Sequence, residues 1–226
     1  AGVTGSGKTE AALLWASQKA EFDKIVYLLP TRVTSNAIFM RLCQYFGKAN
    51  CAIVHSSARL YLKEMNMNDD RKYILDKTFF KEVSVCTVDQ ILTQGFNLGF
   101  WEIKTFHLFR AKVIIDEIHL YQPYTLALIV ETVRYLRTQF KTEFFIMTAT
   151  MPQKLMKLLC RTLDIGEDNI VRDTQLLNEA RNTFEIRSKT VDELDEEIKT
   201  WLSLNKKVLV VVNTVDEAIR LYEKYI

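Results

Sequence analysis

Short apolar runs alternate along the chain with longer stretches in which apolar residues recur at helical spacing. Five of the runs have the continuous Val, Ile and Leu content that is typical of strands buried on both faces, as in a parallel sheet. These runs are 24–29, 83–86, 112–115, 143–147 and 207–212. Amphipathic stretches of helical length are 9–20, 34–46, 125–140, 153–163, 192–204 and the segment from Val215 onward. Alternation of strand and helix predicts a doubly wound α/β domain.

The composition changes after Leu163. Residues 164–182 are polar and carry few large apolar side chains, which indicates a boundary near residue 180. We therefore predict one domain over 1–180 and a second, incomplete unit over 181–226, because about 45 residues are too few for a core of their own. The chain starts inside a loop motif and stops within a predicted helix, so we expect both ends to be cuts through a longer protein.

Residues 2–9 read GVTGSGKT and match G-x-x-x-x-G-K-[ST] at every fixed position. Glycine permits positive φ and lets the backbone approach phosphate oxygens closely. Successive N–H groups then form an anion-binding nest, supported by the positive end of the following helix. Lys8 is expected to reach the β- and γ-phosphates of ATP, and the Thr9 hydroxyl to bind Mg²⁺. The predicted phosphate-binding residues are Thr4, Gly5, Ser6, Gly7, Lys8 and Thr9.

A second candidate site follows the strand predicted at 112–115, where the chain continues Asp116-Glu117-Ile118-His119. In open α/β sheets, ligands bind beyond the carboxyl ends of the strands. Asp116 is therefore placed to hold Mg²⁺, usually through water, and Glu117 to orient or deprotonate an attacking water. His119 is a candidate sensor of the γ-phosphate. A solvated acidic turn is the alternative, and the phosphate-loop motif elsewhere in the same chain argues against it.

Bulk composition restricts the partners only slightly. The net charge of +2 is too small to indicate nucleic-acid binding, which would need a local basic patch. The four cysteines include no C-x-x-C pair, so we expect free buried thiols in a reducing cytoplasm. No apolar run reaches the roughly 18 residues of a membrane span, and no membrane contact is expected. The mixed charges of 55–82 favour a solvated helical face over a binding insertion.

The run Asp116-Glu117-Ile118-His119 resembles the DEAD/DEAH box of superfamily 2 helicases, and further motifs of that family follow the same order here. Motif Ia is matched by Pro30, Thr31 and Arg32, the Ib–Ic region by Thr87, Asp89 and Gln90, and motif III by Thr148, Ala149 and Thr150. The resemblance implies a RecA-like P-loop NTPase domain followed by the start of a second RecA-like domain. It also implies that motif Ia and the Ib–Ic region touch the nucleic-acid backbone and that motif III couples hydrolysis to strand movement.

A narrower resemblance is to the CRISPR-associated helicase-nuclease of type I systems. The run DEIHLY at 116–121 is similar to that family's D-E-[VI]-H-x-[YF]-D, with Gln122 in place of the last Asp, and the run TVDQIL at 87–92 is similar as well. This resemblance implies a 3′-to-5′ translocase on single-stranded DNA, recruited by a multisubunit surveillance complex. Aspartate follows none of the three histidines, so the family's metal-dependent HD nuclease is not assigned to this piece.

The combined prediction is a helicase motor piece that binds ATP, Mg²⁺ and single-stranded DNA, with no homo-oligomer implied. We expect the piece to be inactive alone, because the arginines that complete the ATP site in this family belong to the second domain. Two alternatives stay open: another superfamily 2 enzyme acting on DNA or RNA, and a nucleotide-regulated binding module without ATP turnover. Five aromatic residues are interpreted as core beneath a loop, with base stacking as the alternative: Phe96, Phe100, Trp101, Phe106 and Phe109.

Overall fold

A five-stranded parallel sheet forms the centre of the fold. The computed structural model describes residues 7–18, 24–67, 70–172 and 183–225. The strands are β1 (Ile25–Leu29), β2 (Cys51–Val54), β3 (Val83–Thr87), β4 (Lys112–Ile115) and β5 (Glu143–Ile146). They lie in the order β2-β3-β1-β4-β5, and every neighbouring pair is parallel. The chain leaves β1 toward the β2 edge of the sheet and leaves β4 toward the β5 edge, so the strand order reverses between β1 and β4. In such folds, ligands bind in the crevice at this point, beyond the carboxyl ends of the strands.

Helices cover both faces of the sheet. In the first unit they are α1 (Lys8–Ser17), α2 (Arg32–Phe46), α3 (Ala58–Glu64), α4 (Asp70–Asp76), α5 (Asp89–Leu92), α6 (Trp101–Leu108), α7 (Pro123–Phe140) and α8 (Gln153–Thr162). Successive strand residues point to opposite faces. Val26 and Leu28 therefore join the apolar layer that includes α7, while Tyr27 and Leu29 join the layer that includes α1 and α2. The predicted doubly wound α/β architecture is confirmed.

The strand predictions were right for four segments and wrong for one. The four strands predicted from 24, 83, 112 and 143 are present, each with bounds within one residue of the prediction. Residues 207–212 do not form a strand. A strand needs a neighbour for its backbone hydrogen bonds, and the described residues 183–225 contain no other strand. Strand β2, which has only four residues, was not predicted.

Contacts divide the chain into two units, Ala1–Glu179 and Ala180–Ile226. The second unit contains α9 (Asp195–Ser203) and α10 (Val215–Tyr225). Arg220 of α10 pairs with Asp192 at 2.9 Å, on an exposed surface where such pairs contribute little. Within the described ranges, no helix is long and apolar enough to cross a membrane. All four cysteines are free; Cys160 is half-buried and the other three are buried.

Candidate nucleotide site and strand-binding edge

The start of α1 provides the described part of the predicted phosphate loop. Gly7 has φ 76° and ψ 20°, in the left-handed region where glycine is favoured, and α1 begins at the next residue, Lys8. Lys8 and Thr9 thus occupy the first turn of a ten-residue helix, whose free N–H groups favour an anion. The predicted residues Thr4, Gly5 and Ser6 lie outside the described residues.

Asp116 follows β4 and is held by two hydrogen bonds. Its Oδ1 accepts from the Glu117 backbone N–H at 2.8 Å, and its Oδ2 accepts from the Tyr27 hydroxyl at 3.0 Å. Burial raises the pKa of Asp116, while the Tyr27 hydrogen bond and the charge of Lys8 act in the opposite direction. A carboxylate that burial disfavours in this way would be stabilised by a bound cation.

The donors around Asp116 fit Mg²⁺ better than a transition metal. Thr9 and Asp116 offer hard oxygen atoms, and Mg²⁺ is usually bound by one or two carboxylates together with substrate phosphates and water. Over the ranges that the structure describes, no group of three or more His, Cys, Asp and Glu residues is arranged to hold a metal ion. A magnesium shared with nucleotide phosphates is therefore compatible with this site, whereas a metal cage made only of these described side chains is not.

Glu117 and His119 are connected to the loop after β5. Glu117 has φ 48°, a left-handed conformation that is strained for a residue with a side chain, by about 1–3 kcal/mol. Its Oε2 accepts from the Ala149 N–H at 3.4 Å and lies 3.3 Å from His119 Nδ1. The Thr148 hydroxyl lies 2.7 Å from His119 Nδ1 and donates to the Thr150 carbonyl at 2.7 Å.

The hydrogen-bond directions in this group assign the tautomer of His119. A hydroxyl has one hydrogen, and that of Thr148 is used for the Thr150 carbonyl. Thr148 must therefore accept from His119, whose Nδ1 carries the hydrogen. The other ring nitrogen, Nε2, is left as an acceptor when the ring is neutral. The acidic motif and the loop 148–150, predicted separately, thus form one hydrogen-bonded group.

A second site lies at the carboxyl ends of β1, β2 and β3. It is a cleft of about 450 Å³ lined by Pro30, Thr31, Arg32, Ser56, Thr87 and Asp89. Thr31 caps α2 by accepting from the Thr34 N–H at 3.2 Å, so the N-terminus of a fifteen-residue helix is at the cleft. Of the six residues predicted for strand binding, the structure brings five together here and leaves Gln90 out of the lining.

Gln90 is held beside the cleft by a buried lysine. Its side-chain amide donates to Asp89 Oδ2 at 2.7 Å, and its backbone carbonyl accepts from Lys104 Nζ at 3.0 Å. Burial lowers the pKa of Lys104. No sequence signal distinguishes Lys104, because a single lysine in an amphipathic segment looks like a solvated residue.

The loop after β2 contributes residues that the sequence analysis missed. Arg32 Nη1 donates to Ser56 Oγ at 3.5 Å across the cleft. His55 is buried, with Nε2 2.9 Å from Asn36 Oδ1 and Nδ1 3.3 Å from Ser57 Oγ. Burial, and then the charge of Arg32, lower the pKa of His55. The apolar run at 51–54 before His55 was the available signal, since functional side chains follow the strands of this fold.

The interpretation of the aromatic residues as core is wrong. Phe96, Phe100, Phe106 and Phe109 are exposed, and Trp101 is half-buried. For Phe106 the reason is the orientation of α6, which turns Lys104, Thr105 and Leu108 inward and leaves Ile103 and Phe106 outward. Phe96, Phe100 and Phe109 lie outside the bounds of α6. Base stacking by these rings stays a prediction.

Comparisons with known proteins agree with these features. A family model described as DEAD/DEAH box helicase matches residues 1–158. The CRISPR-associated nuclease/helicase Cas3 of Methanothermobacter thermautotrophicus is 32% identical over 98% of this chain and 29% of its own length. The CRISPR-associated endonuclease/helicase Cas3 of Escherichia coli is 26% identical over 74% of this chain and 21% of its own length. The chain thus spans at most about a third of the curated relatives.

Solved structures support the same fold. A T. fusca Cas3 structure with ADP has a TM-score of 0.62 and 23% sequence identity, and covers 72% of this chain and 19% of that one. The T. fusca Cas3 structure with ATP has a TM-score of 0.60 and 22% identity, with the same coverage. At this identity, the likeness establishes the RecA-like fold alone.

Proposed function

Because this chain belongs to the DEAD/DEAH box helicase family, we propose that it is the part of a CRISPR-associated helicase that binds ATP and single-stranded DNA. Residues 1–180 are proposed as the first RecA-like domain, and 181–226 as the linker and the start of the second. The complete protein, in this proposal, acts in the cytoplasm with the surveillance complex of a type I system. The observation that carries the proposal is that Asp116, which feels the charge of Lys8, and Glu117, which contacts Ala149 of the loop 148–150, follow the same strand.

In the proposed nucleotide site, Lys8 and the N–H groups at the start of α1 bind the β- and γ-phosphates. Thr9 and Asp116 are the residues that would hold Mg²⁺, which when bound neutralises phosphate charge. Glu117 takes the role of orienting or deprotonating the attacking water. Its contact with the Ala149 N–H supports a second role for the loop 148–150, which is to respond to the position of the Glu117 carboxylate.

In the proposed strand site, the cleft binds phosphates and does not read base edges. Arg32 supplies the positive charge, and Thr31, Ser56 and Thr87 supply hydroxyl groups. The N-terminus of α2 adds a favourable field for an anion. Asp89 is negatively charged like a phosphate, so we do not assign it to direct phosphate contact. Its carboxylate accepts a hydrogen bond from the side-chain amide of Gln90, and we assign it to orienting that residue. Binding of this kind positions a strand without sequence preference.

The test is the strand dependence of ATP hydrolysis by the complete natural protein. Single-stranded DNA of any sequence should stimulate hydrolysis strongly, and duplex DNA and RNA of the same length should stimulate it weakly. An Arg32→Ala variant should need more DNA for half-maximal stimulation. Stimulation by RNA alone would favour another superfamily 2 helicase, and ATP binding without turnover under all these conditions would favour the non-motor module.

A further inference from the structure

Tyr27 is a residue of β1 whose hydroxyl reaches the candidate nucleotide site at Asp116. Its side chain is 0% exposed and lies in the apolar layer between the sheet and α1, together with Ala12 and Ala16. The other β1 side chains in the two cores are aliphatic: Val26, Leu28 and Leu29. A hydroxyl buried at such a position costs free energy unless it is hydrogen-bonded, so its partners indicate why a tyrosine is there.

The Tyr27 hydroxyl is hydrogen-bonded to Asp116, one of the two residues proposed to hold Mg²⁺. It donates to Asp116 Oδ2 at 3.0 Å. Burial raises the pKa of Tyr27, while the nearby Thr9 side chain of α1 acts in the opposite direction. The sheet register fixes this arrangement, because Tyr27 pairs with Ile114, two residues before Asp116. The phenol therefore packs beside α1 and reaches from β1 to the acidic motif.

We propose that Tyr27 is a positioning residue of the Mg²⁺ site, where its hydroxyl holds the Asp116 carboxylate in place beside Thr9. Each Asp116 oxygen then has one fixed donor, Tyr27 for Oδ2 and the Glu117 N–H for Oδ1. A carboxylate oxygen has two acceptor positions, so each keeps one for a metal-bound water. This inference rests on the proposed ATP·Mg²⁺ function and adds to it a residue that touches neither phosphate nor water.

The experiment compares Tyr27→Phe with the matched Tyr61→Phe in the complete natural protein. Tyr61 is half-buried and packs against Phe39, with the two ring centroids 6.5 Å apart, away from the acidic motif. The affinity for a fluorescent ADP is measured in EDTA and over a Mg²⁺ titration. In EDTA, both variants should bind like the wild type. The Mg²⁺ concentration for half-maximal tightening should rise about 10- to 100-fold in Tyr27→Phe, as when a partner of a metal ligand is removed, and stay unchanged in Tyr61→Phe.

The outcomes separate this inference from the proposed function. Mg²⁺-dependent ADP binding that is the same in Tyr27→Phe and wild type would overturn the role of Tyr27 alone. Wild-type protein without Mg²⁺-dependent binding, or a Lys8→Ala variant that binds like the wild type, would overturn the nucleotide site itself. If Tyr27→Phe does not fold, a crystal structure of the wild type with ADP·Mg²⁺ decides. A Tyr27 hydroxyl still hydrogen-bonded to Asp116 supports the role, and one that has moved out of hydrogen-bond distance contradicts it.

Discussion

Replacing Thr148 with valine removes the hydroxyl between His119 and the Thr150 carbonyl while keeping the branched shape of a buried side chain. Two hydrogen bonds of 2.7 Å are removed. At about 0.5–1.5 kcal/mol each, the free energy of unfolding should fall by about 1–3 kcal/mol. His119 Nδ1 is then left facing Glu117 Oε2, which lies 3.3 Å away. A carboxylate that accepts from His119 is less available to the attacking water.

The expected effect of Thr148→Val on catalysis follows from the same hydrogen bonds. If about 1 kcal/mol of Glu117 positioning is lost in the transition state, strand-stimulated kcat falls about fivefold. The matched control is Thr142→Val, because Thr142 is also buried and its hydroxyl donates to the Leu108 carbonyl at 2.7 Å, at the amino end of β5. In Thr142→Val, the free energy of unfolding should fall by a similar amount per hydrogen bond, and kcat should not change.

The assay measures kcat at saturating ATP and single-stranded DNA, with urea unfolding of each variant as the measure of stability. An unchanged kcat in Thr148→Val would show that Thr148 does not act on catalysis through Glu117. So would an equal loss of kcat in Thr142→Val, because the effect would then come from general destabilisation.

Arg32→Ala should flatten the dependence of DNA affinity on salt, with the logarithmic slope changing by about 0.7 for each phosphate that Arg32 neutralises. The control Arg134→Ala, which changes an exposed residue of α7, should leave the slope as it is. Equal slopes for the wild type and Arg32→Ala would remove Arg32 from the strand site. His55 should make the protein less stable in acid: its pKa is lowered in the fold by burial and then by Arg32, so the unfolded chain binds the proton more tightly. The stability it contributes is present above its ordinary pKa of about 6.5 and is lost as the pH falls below that value. Urea unfolding from about pH 7.5 to about pH 5 should therefore show a smaller decline for His55→Gln than for the wild type, and identical declines would contradict this assignment.

The parts of the fold that the sequence predicted are those set by local pattern. The strand at Lys112–Ile115 was predicted with its observed bounds, because it is a short apolar run that ends in two carboxylates. The start of α1 was predicted one residue late, since its glycine and lysine form a local motif. By contrast, residues 207–212 have strand-like composition but no neighbouring strand in the described unit, and pairing is not a local property.

The sequence motifs named residues of the candidate site but did not predict which residues contact each other there. The residues Asp116, Glu117 and His119 were identified from their motif, but their partners come from distant segments: Tyr27 is 89 residues from Asp116, and Thr148 is 29 residues from His119. No local period in the sequence encodes such a contact. Phe106 of α6 shows the opposite case, in which composition indicated burial and the orientation of the helix decided against it.

We propose that Lys8 and Glu117 perform different steps of one ATPase cycle. The direct test measures ATP affinity, hydrolysis and DNA release for Lys8→Ala and Glu117→Gln in the complete natural protein. Lys8→Ala should bind ATP poorly, because the cation facing the β- and γ-phosphates is gone. Glu117→Gln should bind ATP like the wild type, hydrolyse it about 10²- to 10⁴-fold more slowly and release single-stranded DNA slowly, since only the group that handles the water is removed. Normal hydrolysis by Glu117→Gln, or the same behaviour in both variants, would contradict the account.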